Sequence, residues 1–323
     1  MKQPVFNTFI LLSMLLSNMS GYALNNYYFN IISRDKGLSQ TNVKAIIQDS
    51  NGFMWFGTRN KLNRYDGNTF KVFDCYDHVA QKQNNNISSL FEDKEKQLWV
   101  GTDNGVFRLN PQTGKFTYMN TQTSEGITMT DWISDIKEDK DGNIWIGTQS
   151  GLYFFNVATR ELSPYAIGGA KNQKYDIRSL MLDGDYLWIG TYAGGIRVIN
   201  LRTGAVKAYT HSCGIPNTIC SNDVLCIYKG RKGEIYVGTS WGLCRYDAAR
   251  DNFMTITSVG SMVSVVDIYE DMYNHLWIAT SNSGVFSYNT MNAHWKHYQH
   301  EREDSTTITS NSVITLFEDA KGT

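Results

Sequence analysis

The chain has few of the features that mark enzymes or nucleic-acid-binding proteins. It has 30 basic and 31 acidic side chains and a formal net charge of −1, so no basic field favours a nucleic acid partner. No Gly-rich phosphate loop, Ser/His/Asp arrangement or Cys-x-x-Cys motif is present. His297, His300 and Glu301 lie close together in sequence, but without the helical spacing that aligns metal ligands. We therefore predict no catalytic residue, no metal and no cofactor.

Cysteine is also scarce, and its number is odd. The five cysteines are Cys75, Cys213, Cys220, Cys226 and Cys244, so an exported chain would keep at least one free thiol or form an intermolecular bond. Cys213 and Cys220 bound one short loop, "CGIPNTIC", and are a candidate disulfide. The alternative is that these thiols are buried or unreactive, which the scatter of the five residues favours.

Long apolar runs are missing except at the N-terminus. Lys2 is followed by the apolar run Phe9–Leu16, and Gly21 and Ala23 suit the −3 and −1 positions of a secretory cleavage site. The apolar run is shorter than the roughly 20 residues of a spanning helix. We predict a signal peptide over 1–23 and an exported mature chain over 24–323; a retained membrane anchor is the alternative.

One short hairpin is repeated along the whole chain. "LWVGTDNGVF" has counterparts in "MWFGTRNKLN", "IWIGTQSGLY", "LWIGTYAGGI", "IYVGTSWGLC" and "LWIATSNSGV". An apolar strand precedes each hairpin and a fourth strand, often rich in aromatic residues, follows it. The hairpin aromatic residues, spaced 41 to 48 residues apart, are Trp55, Trp99, Trp145, Trp188, Tyr236 and Trp277. Four short strands in a unit of this length predict an all-β fold, a β-propeller with four-stranded blades.

The preceding strand occurs seven times, once more than the hairpin. Its first apolar residues are Val43, Ile87, Ile133, Ile177, Val224, Val265 and Val313. We therefore predict a seven-bladed propeller with six complete blades and the inner strand of the seventh, incomplete at the C-terminus. The segment "NNYYFNIISRDKGLS" is predicted to form an outer strand followed by a crossing, and the strand would close that last blade as its strand D. An open propeller exposes an apolar blade face, so we expect the natural protein to be longer or this chain to be a fragment.

The strands of each blade, labelled A to D from the centre outwards, define two rims. The A–B and C–D turns lie on one, which we call the turn rim. The B–C turns and the D-to-A crossings (74–86, 120–132 and 210–223 among them) lie on the other, the loop face. Long, variable loops on a rigid scaffold are where binding tends to occur. The candidate ligand-binding residues on the loop face are Arg59, Tyr192 and Trp241 in B–C turns, and Trp132 and Arg178 beside inner strands. Rim packing or solvent exposure is the alternative for each of them.

The repeat "N-x-V-x-x-I-x-x-D-x-x-G-x-x-W-I-G-T-x-x-G-L-x-x-Y-D" resembles that of the two-component regulator propeller family. The first unit reads "NVKAIIQDSNGFMWFGTRNKLNRYD" and the third "WISDIKEDKDGNIWIGTQSGLYFFN". The resemblance covers about 28–323, with Lys61, Gly230 and Ala279 as departures from the repeat.

This resemblance implies the N-terminal, periplasmic sensor propeller of a Bacteroides-type hybrid two-component sensor histidine kinase. Such receptors detect oligosaccharides and regulate polysaccharide-utilisation genes. The resemblance further implies a homodimer and a membrane anchor formed through regions outside these residues. Kinase activity would also lie outside them, so the chain itself is predicted not to be an enzyme. The alternatives are a stand-alone glycan-binding or scaffold propeller and, less favoured, a propeller lyase or hydrolase.

Overall fold

Each of the six complete repeats folds into one antiparallel sheet in the computed structural model. The structure describes Phe29, Met129 and residues 31–119, 131–169, 174–304 and 306–323. The predicted signal peptide over 1–23 lies outside these residues. Each sheet has four strands in sequential order, which confirms an all-β propeller with four-stranded blades.

The strand bounds follow the repeat closely. The first sheet contains β1 (Val43–Gln48), β2 (Met54–Thr58), β3 (Leu62–Tyr65) and β4 (Phe70–Phe73); a small hairpin, β5 (Tyr76–Asp77) and β6 (Lys82–Gln83), follows it. The second contains β7 (Ile87–Glu92), β8 (Leu98–Thr102), β9 (Val106–Asn110) and β10 (Lys115–Met119), and the third β11 (Ile133–Glu138), β12 (Ile144–Thr148), β13 (Gly151–Asn156) and β14 (Glu161–Tyr165). The fourth contains β15 (Ile177–Asp183), β16 (Tyr186–Thr191), β17 (Gly195–Asn200) and β18 (Val206–Tyr209). The fifth contains β19 (Val224–Lys229), β20 (Ile235–Thr239), β21 (Gly242–Asp247) and β22 (Asn252–Ile256), and the sixth β23 (Val265–Glu270), β24 (His275–Thr280), β25 (Val285–Asn289) and β26 (His294–Tyr298).

Helix is nearly absent from the part of the chain that the structure describes. It consists of three-residue 3-10 turns at Arg34–Lys36, Ile167–Gly169 and Thr257–Val259, and none of these could cross a membrane. The first of them lies within the segment predicted to form an outer strand followed by a crossing. The first part of that segment lies, apart from Phe29, outside the described residues, so the predicted strand is not tested. Residues 31–39 contain no strand, and Gly37, in a left-handed conformation (φ 103°), ends the turn.

The second strand is buried on both faces in the four middle blades, as its apolar sequence predicts, and has half-buried residues in the first and sixth. All five residues of β12 are buried. Gly147 in this strand allows the next blade to approach, because a Cβ added there would lie 2.7 Å from Cγ2 of Ile177. Trp99 of the second sheet is fully buried and meets Phe155 of the third sheet at a ring distance of 5.2 Å. The "WIGT" motif therefore builds the contact between successive blades.

A buried carboxylate fixes the A–B turn in four of the blades. The indole N–H of Trp99 donates to Oδ2 of Asp93 at 2.7 Å, while Oδ1 accepts the backbone N–H of Gln97 at 2.8 Å. The equivalent indole bonds are Trp55 to Asp49, Trp145 to Asp139 and Trp277 to Asp271. The aspartate stands six residues before its tryptophan in each case, so the interaction belongs to the repeat.

A second repeated contact joins neighbouring blades near these turns. The carboxylate of Glu92, the last residue of β7, accepts the backbone N–H of Ser50 in the first sheet at 2.8 Å. The corresponding pairs are Glu138 with Lys94, Glu270 with Arg231, and Glu318 with Met272. These charge-assisted bonds hold each turn against the following blade.

Residues 313–320 run alongside the sixth sheet without belonging to any of the assigned sheets. The backbone N–H of Leu316 donates to Oδ2 of Asp267 in β23 at 2.8 Å. At the other end of the segment, the backbone N–H of Ala320 donates to Oε1 of Gln48 in β1 at 2.7 Å. The described residues thus contain six four-stranded sheets, and the prediction of seven blades is not confirmed.

The predicted disulfide between Cys213 and Cys220 is wrong. Cys220 bonds instead to Cys244, and their Cα atoms are 6.4 Å apart. Cys244 lies in β21, and the crossing before the fifth sheet brings Cys220 against that strand, whereas Cys213 is exposed. Cys75 and Cys226 are buried free thiols, and burial raises the pKa of both well above its ordinary value.

Candidate functional site

The inner strands surround a central cavity of about 600 Å³. The second residue of each inner strand lines this cavity, and so does Ile314, which holds the corresponding place in 313–320. These residues divide the lining into a polar side (Lys44, Ser88, Ser134 and Arg178) and an apolar side (Leu225, Val266 and Ile314). One end of the cavity is therefore cationic and hydrogen-bonding along one half and apolar along the other.

Three of the five candidate residues meet at the loop-face end of this cavity. The guanidinium of Arg178 lies 5.3 Å from the ring centre of Trp132 and also 5.3 Å from that of Tyr192. Trp132 precedes β11 and Tyr192 belongs to the B–C turn of the fourth sheet, so the contact joins two blades. We call Trp132, Arg178 and Tyr192 the aromatic clamp. Cation–π contacts of this kind hold the guanidinium while leaving its N–H groups able to donate.

Asp176 holds the aromatic clamp in place through two hydrogen bonds. Its Oδ2 accepts a hydrogen bond from Nη2 of Arg178 at 2.8 Å. Its backbone carbonyl accepts the N–H of Tyr192 at 2.8 Å, which sets the B–C turn against the start of β15. One short segment therefore positions both the guanidinium and the exposed tyrosine ring.

Several buried polar atoms around the aromatic clamp lack a hydrogen-bond partner among the described residues. They are Nε of Arg178, Oδ1 of Asp176 and Oγ of Ser134, with Oδ1 of Asn42 and Oγ of Ser89 nearer the first two blades. Buried polar atoms are rarely left unpaired. Their concentration at the start of the inner strands marks a place where water or a polar ligand is needed.

A second aromatic–arginine pair extends the clamp outwards. The guanidinium of Arg197 lies 5.2 Å from the ring centre of Tyr175, and its Nη1 donates to the carbonyl of Gly194 at 2.8 Å. Sequence reasoning missed Tyr175, Asp176 and Arg197. The only available signal was that Tyr175 and Asp176 directly precede an inner strand.

The other two candidates, Arg59 and Trp241, lie apart from the aromatic clamp. Arg59 is exposed on the first blade; burial, and then the charge of Arg59, lower the pKa of Lys44 at the cavity wall. Trp241 is 59% exposed and contacts the ring of His211 at 6.4 Å. Of the five candidate residues predicted from the sequence, three thus form one group and two lie at separate positions.

The histidines singled out in the sequence bind backbone carbonyls. Nε2 of His297 lies 2.6 Å from the carbonyl oxygen of Ser283, and Nδ1 of His300 lies 2.9 Å from that of Ile308. Within the described ranges, no three His, Cys, Asp or Glu side chains are placed to hold a metal ion.

Comparison with known families identifies the repeat. A family model described as "Two component regulator propeller" matches residues 37–60, 81–104, 129–150 and 259–282. The chain carries two component regulator propeller repeats. A curated relative, histidine kinase P4 of Formosa agariphila, is 45% identical over 49 residues, which are 15% of this chain and 4% of the relative.

Solved structures share the propeller fold. The extracellular domain of a putative hybrid two component system from B. thetaiotaomicron superposes with a TM-score of 0.78 at 24% identity, covering 92% of this chain and 40% of that one. That of a putative one component system from the same organism gives 0.72 at 21% identity, covering 91% and 41%. Virginiamycin B lyase of Staphylococcus aureus gives 0.59 at 13% identity, covering 81% and 85%. The chain spans about two fifths of the two B. thetaiotaomicron structures.

Proposed function

We propose that this two component regulator propeller is the ligand-binding part of an extracytoplasmic sensor. The aromatic clamp carries the proposal: it presents a half-buried guanidinium with an unpartnered Nε beside a cavity of about 600 Å³. The repeat family and the fold shared with extracellular domains of two component systems support it. A signal further requires that the ligand bind one state of the receptor more tightly than the other.

The ligand that best fits this site is an oligosaccharide. Trp132 and Tyr192 offer flat apolar faces, and Arg178 and Asp176 offer a donor and an acceptor for ring hydroxyls. The unpartnered Oγ of Ser134 adds a further group on the same side. Regulation of polysaccharide-utilisation genes, a homodimeric receptor and a periplasmic location remain parts of this proposal.

We also propose that 313–320 forms the inner part of a seventh blade. Glu318 accepts the N–H of Met272, and Gln48 in turn accepts the N–H of Ala320. The second bond repeats the first, because both link the residue before the turn aspartate to the turn of the preceding unit. Ring closure by the same contact gives the cavity a wall on every side.

Catalysis is not favoured at this site. A propeller lyase or hydrolase needs an acid–base group at the channel or its mouth. The described residues that line the cavity include no histidine, and the carboxylates of Asp135, Glu138 and Asp267 there accept backbone N–H groups of adjacent segments. The likeness to virginiamycin B lyase concerns the fold. The chain therefore fits a binding role better than an enzymatic one.

Replacing Arg178 tests the proposed function. Calorimetric titration of the protein with maltohexaose, xylohexaose, mannohexaose and arabinohexaose should detect one or more ligands. Arg178→Ala should then weaken binding at least about tenfold, since a hydrogen bond to a charged group contributes about 1.5–3 kcal/mol. Arg245→Ala is the matched control, because Arg245 is exposed on β21, away from the aromatic clamp. Unchanged affinity in Arg178→Ala, or no binding of any of the four, would count against the proposal.

A further inference from the structure

A groove of about 760 Å³ lies between the fourth and fifth sheets on the turn rim. Its walls come from the start of β16, the C–D turn and β18 of the fourth sheet, and the A–B turn of the fifth. The aromatic clamp occupies the opposite rim, on the loop face. The volume is in the range of small-molecule sites, about 300–1,000 Å³.

A buried tryptophan in this groove lacks the partner that its counterparts have. Trp188 is 5% exposed and lines the groove, yet its indole N–H donates to no described residue. Four equivalent tryptophans donate to the turn aspartate of their own blade. The side chain of Trp188 is largely buried, but its indole nitrogen is not among the buried polar atoms that lack a partner, so the N–H is accessible from solvent and can donate to a ligand.

The indole N–H of Trp188 has no aspartate partner because the A–B turn of the fourth blade is one residue shorter than in the repeat. Asp183 stands five residues before Trp188, whereas the repeat places the aspartate six residues before the tryptophan. Asp183 consequently ends the β15 ladder opposite Tyr186. Its carboxylate binds Nζ of Lys229 at 2.6 Å instead of the indole. The shortened turn therefore leaves the indole N–H without the aspartate that binds its counterparts.

The aromatic wall of the groove is held rigidly. The ring of Trp188 is stacked on that of Tyr209, with 6.0 Å between centroids and 7° between planes, and meets Tyr246 edge-on at 5.0 Å. The hydroxyls of Tyr209 and Tyr246 donate to the same oxygen of Asp251 at 2.5 and 2.7 Å. Hydrogen bonds from Lys207 and then from these tyrosines hold the pKa of Asp251 at about 2. The wall is therefore set before any ligand arrives.

The charges that line the groove balance. Asp183 and Glu234 are acidic, and Lys207 and Lys232 are basic. Asp183 forms an ion pair with Lys229, and Lys207 forms one with Asp251. Glu234 and Lys232 have no ionic partner among the described residues. Glu234 offers an acceptor, and Lys232, whose Nζ lies 3.8 Å from the weak acceptor Sδ of Met291, offers a donor; this pair suits a neutral ligand that can both donate and accept hydrogen bonds.

We propose that this groove binds a neutral pyranose residue of a saccharide. The apolar C–H face of the sugar ring packs on Tyr186, which is 48% exposed. One ring hydroxyl accepts the indole N–H of Trp188, and others bind Glu234 and Lys232. This site shares no residue with the aromatic clamp, so it stands or falls independently of the proposed sensor site.

The test follows Trp188 directly. The protein is labelled with 5-fluorotryptophan, its fluorine NMR signal is assigned with Trp188→Phe, and methyl glycosides of glucose, galactose, mannose and xylose are added. At least one glycoside should shift the Trp188 signal in a saturable way, with a Kd of order millimolar. Tyr186→Ala should weaken that binding about fivefold or more through loss of the platform. Arg178→Ala should leave it unchanged.

Three results would overturn the assignment. They are no saturable shift with any of the four glycosides, an equal shift with the open-chain polyol sorbitol, and a shift with sodium glucuronate alone. The last would identify an anion site at Lys232 instead. If the glycosides still bind at Trp188 when hexasaccharide binding at the aromatic clamp has failed, the groove is supported and the sensor proposal is not.

Discussion

Replacing Asp93 with Ala should cost the protein a large part of its stability. Asp93 is 9% exposed, and its carboxylate accepts two hydrogen bonds: the indole N–H of Trp99 at 2.7 Å and the backbone N–H of Gln97 at 2.8 Å. Trp99 is itself fully buried. Alanine leaves both donors without a partner in a region where water enters poorly.

The size of the effect follows from these two bonds. Each hydrogen bond to a charged group contributes about 1.5–3 kcal/mol, and partial relaxation of the turn reduces the sum, so we expect a loss of about 2–4 kcal/mol. Asp93→Asn should lose roughly half of that. The amide oxygen still accepts the N–H of Gln97, but the amide nitrogen faces the indole N–H, and two donors cannot bond.

Asp183→Ala is the matched control, since Asp183 ends the equivalent inner strand of the fourth blade without binding a tryptophan. Its ion pair with Lys229 joins side chains that are 36% and 39% exposed, so the expected loss is about 0–1 kcal/mol. Urea unfolding followed by tryptophan fluorescence and by circular dichroism measures both variants. Equal losses for Asp93→Ala and Asp183→Ala would refute the role given to the indole–carboxylate bond.

Two further predictions concern titration and thiols. Burial beside the cavity raises the pKa of Asp267 to about 6 from an ordinary 3.8, so the folded state holds this proton more tightly than the unfolded chain does; relative to Asp267→Asn, the protein should lose stability as pH rises from about 4 to about 6. Parallel pH profiles from urea unfolding of the two proteins would contradict this. Native protein should react with Ellman's reagent at one thiol, Cys213, and at three after denaturation without reductant, because Cys75 and Cys226 are buried and Cys220 is bonded to Cys244. Cys213→Ser should abolish the native reaction, and a second fast thiol would contradict the pairing.

The repeat made the blades predictable because its signal is local. A strand buried on both faces must be apolar at successive positions, and the six strands that carry "WIGT" or a close variant of it show this pattern. The glycine is explained in the same way: at Gly147, a side chain would collide with Ile177 of the next blade. The six sheets therefore begin and end close to where the pattern places them.

Contacts between segments that are distant in sequence could not be predicted from the repeat. Cys220 and Cys244 are 24 residues apart, and pairing them requires knowing that a crossing returns to strand C of its own blade. The aromatic clamp is an intermediate case. Its three residues were chosen for their chemistry and their place on the loop face, but Asp176, which orients two of them, was marked only by its position directly before an inner strand.

Two residues of the fourth blade differ from their counterparts in neighbouring blades. A residue whose only role is to hold two blades together occurs at the same position in each repeat, because the contacts between successive blades have the same geometry. A residue without that role can vary from blade to blade. Asp183 has left the indole of Trp188, and Arg178 occupies a cavity position where the fifth and sixth sheets carry Leu225 and Val266. The first change leaves a solvent-accessible indole N–H on the turn rim, and the second a buried donor without a partner, Nε of Arg178, on the loop face. Since an unpaired buried donor costs about 1–3 kcal/mol, the fold carries such a cost at Arg178, and a bound ligand there would offset it.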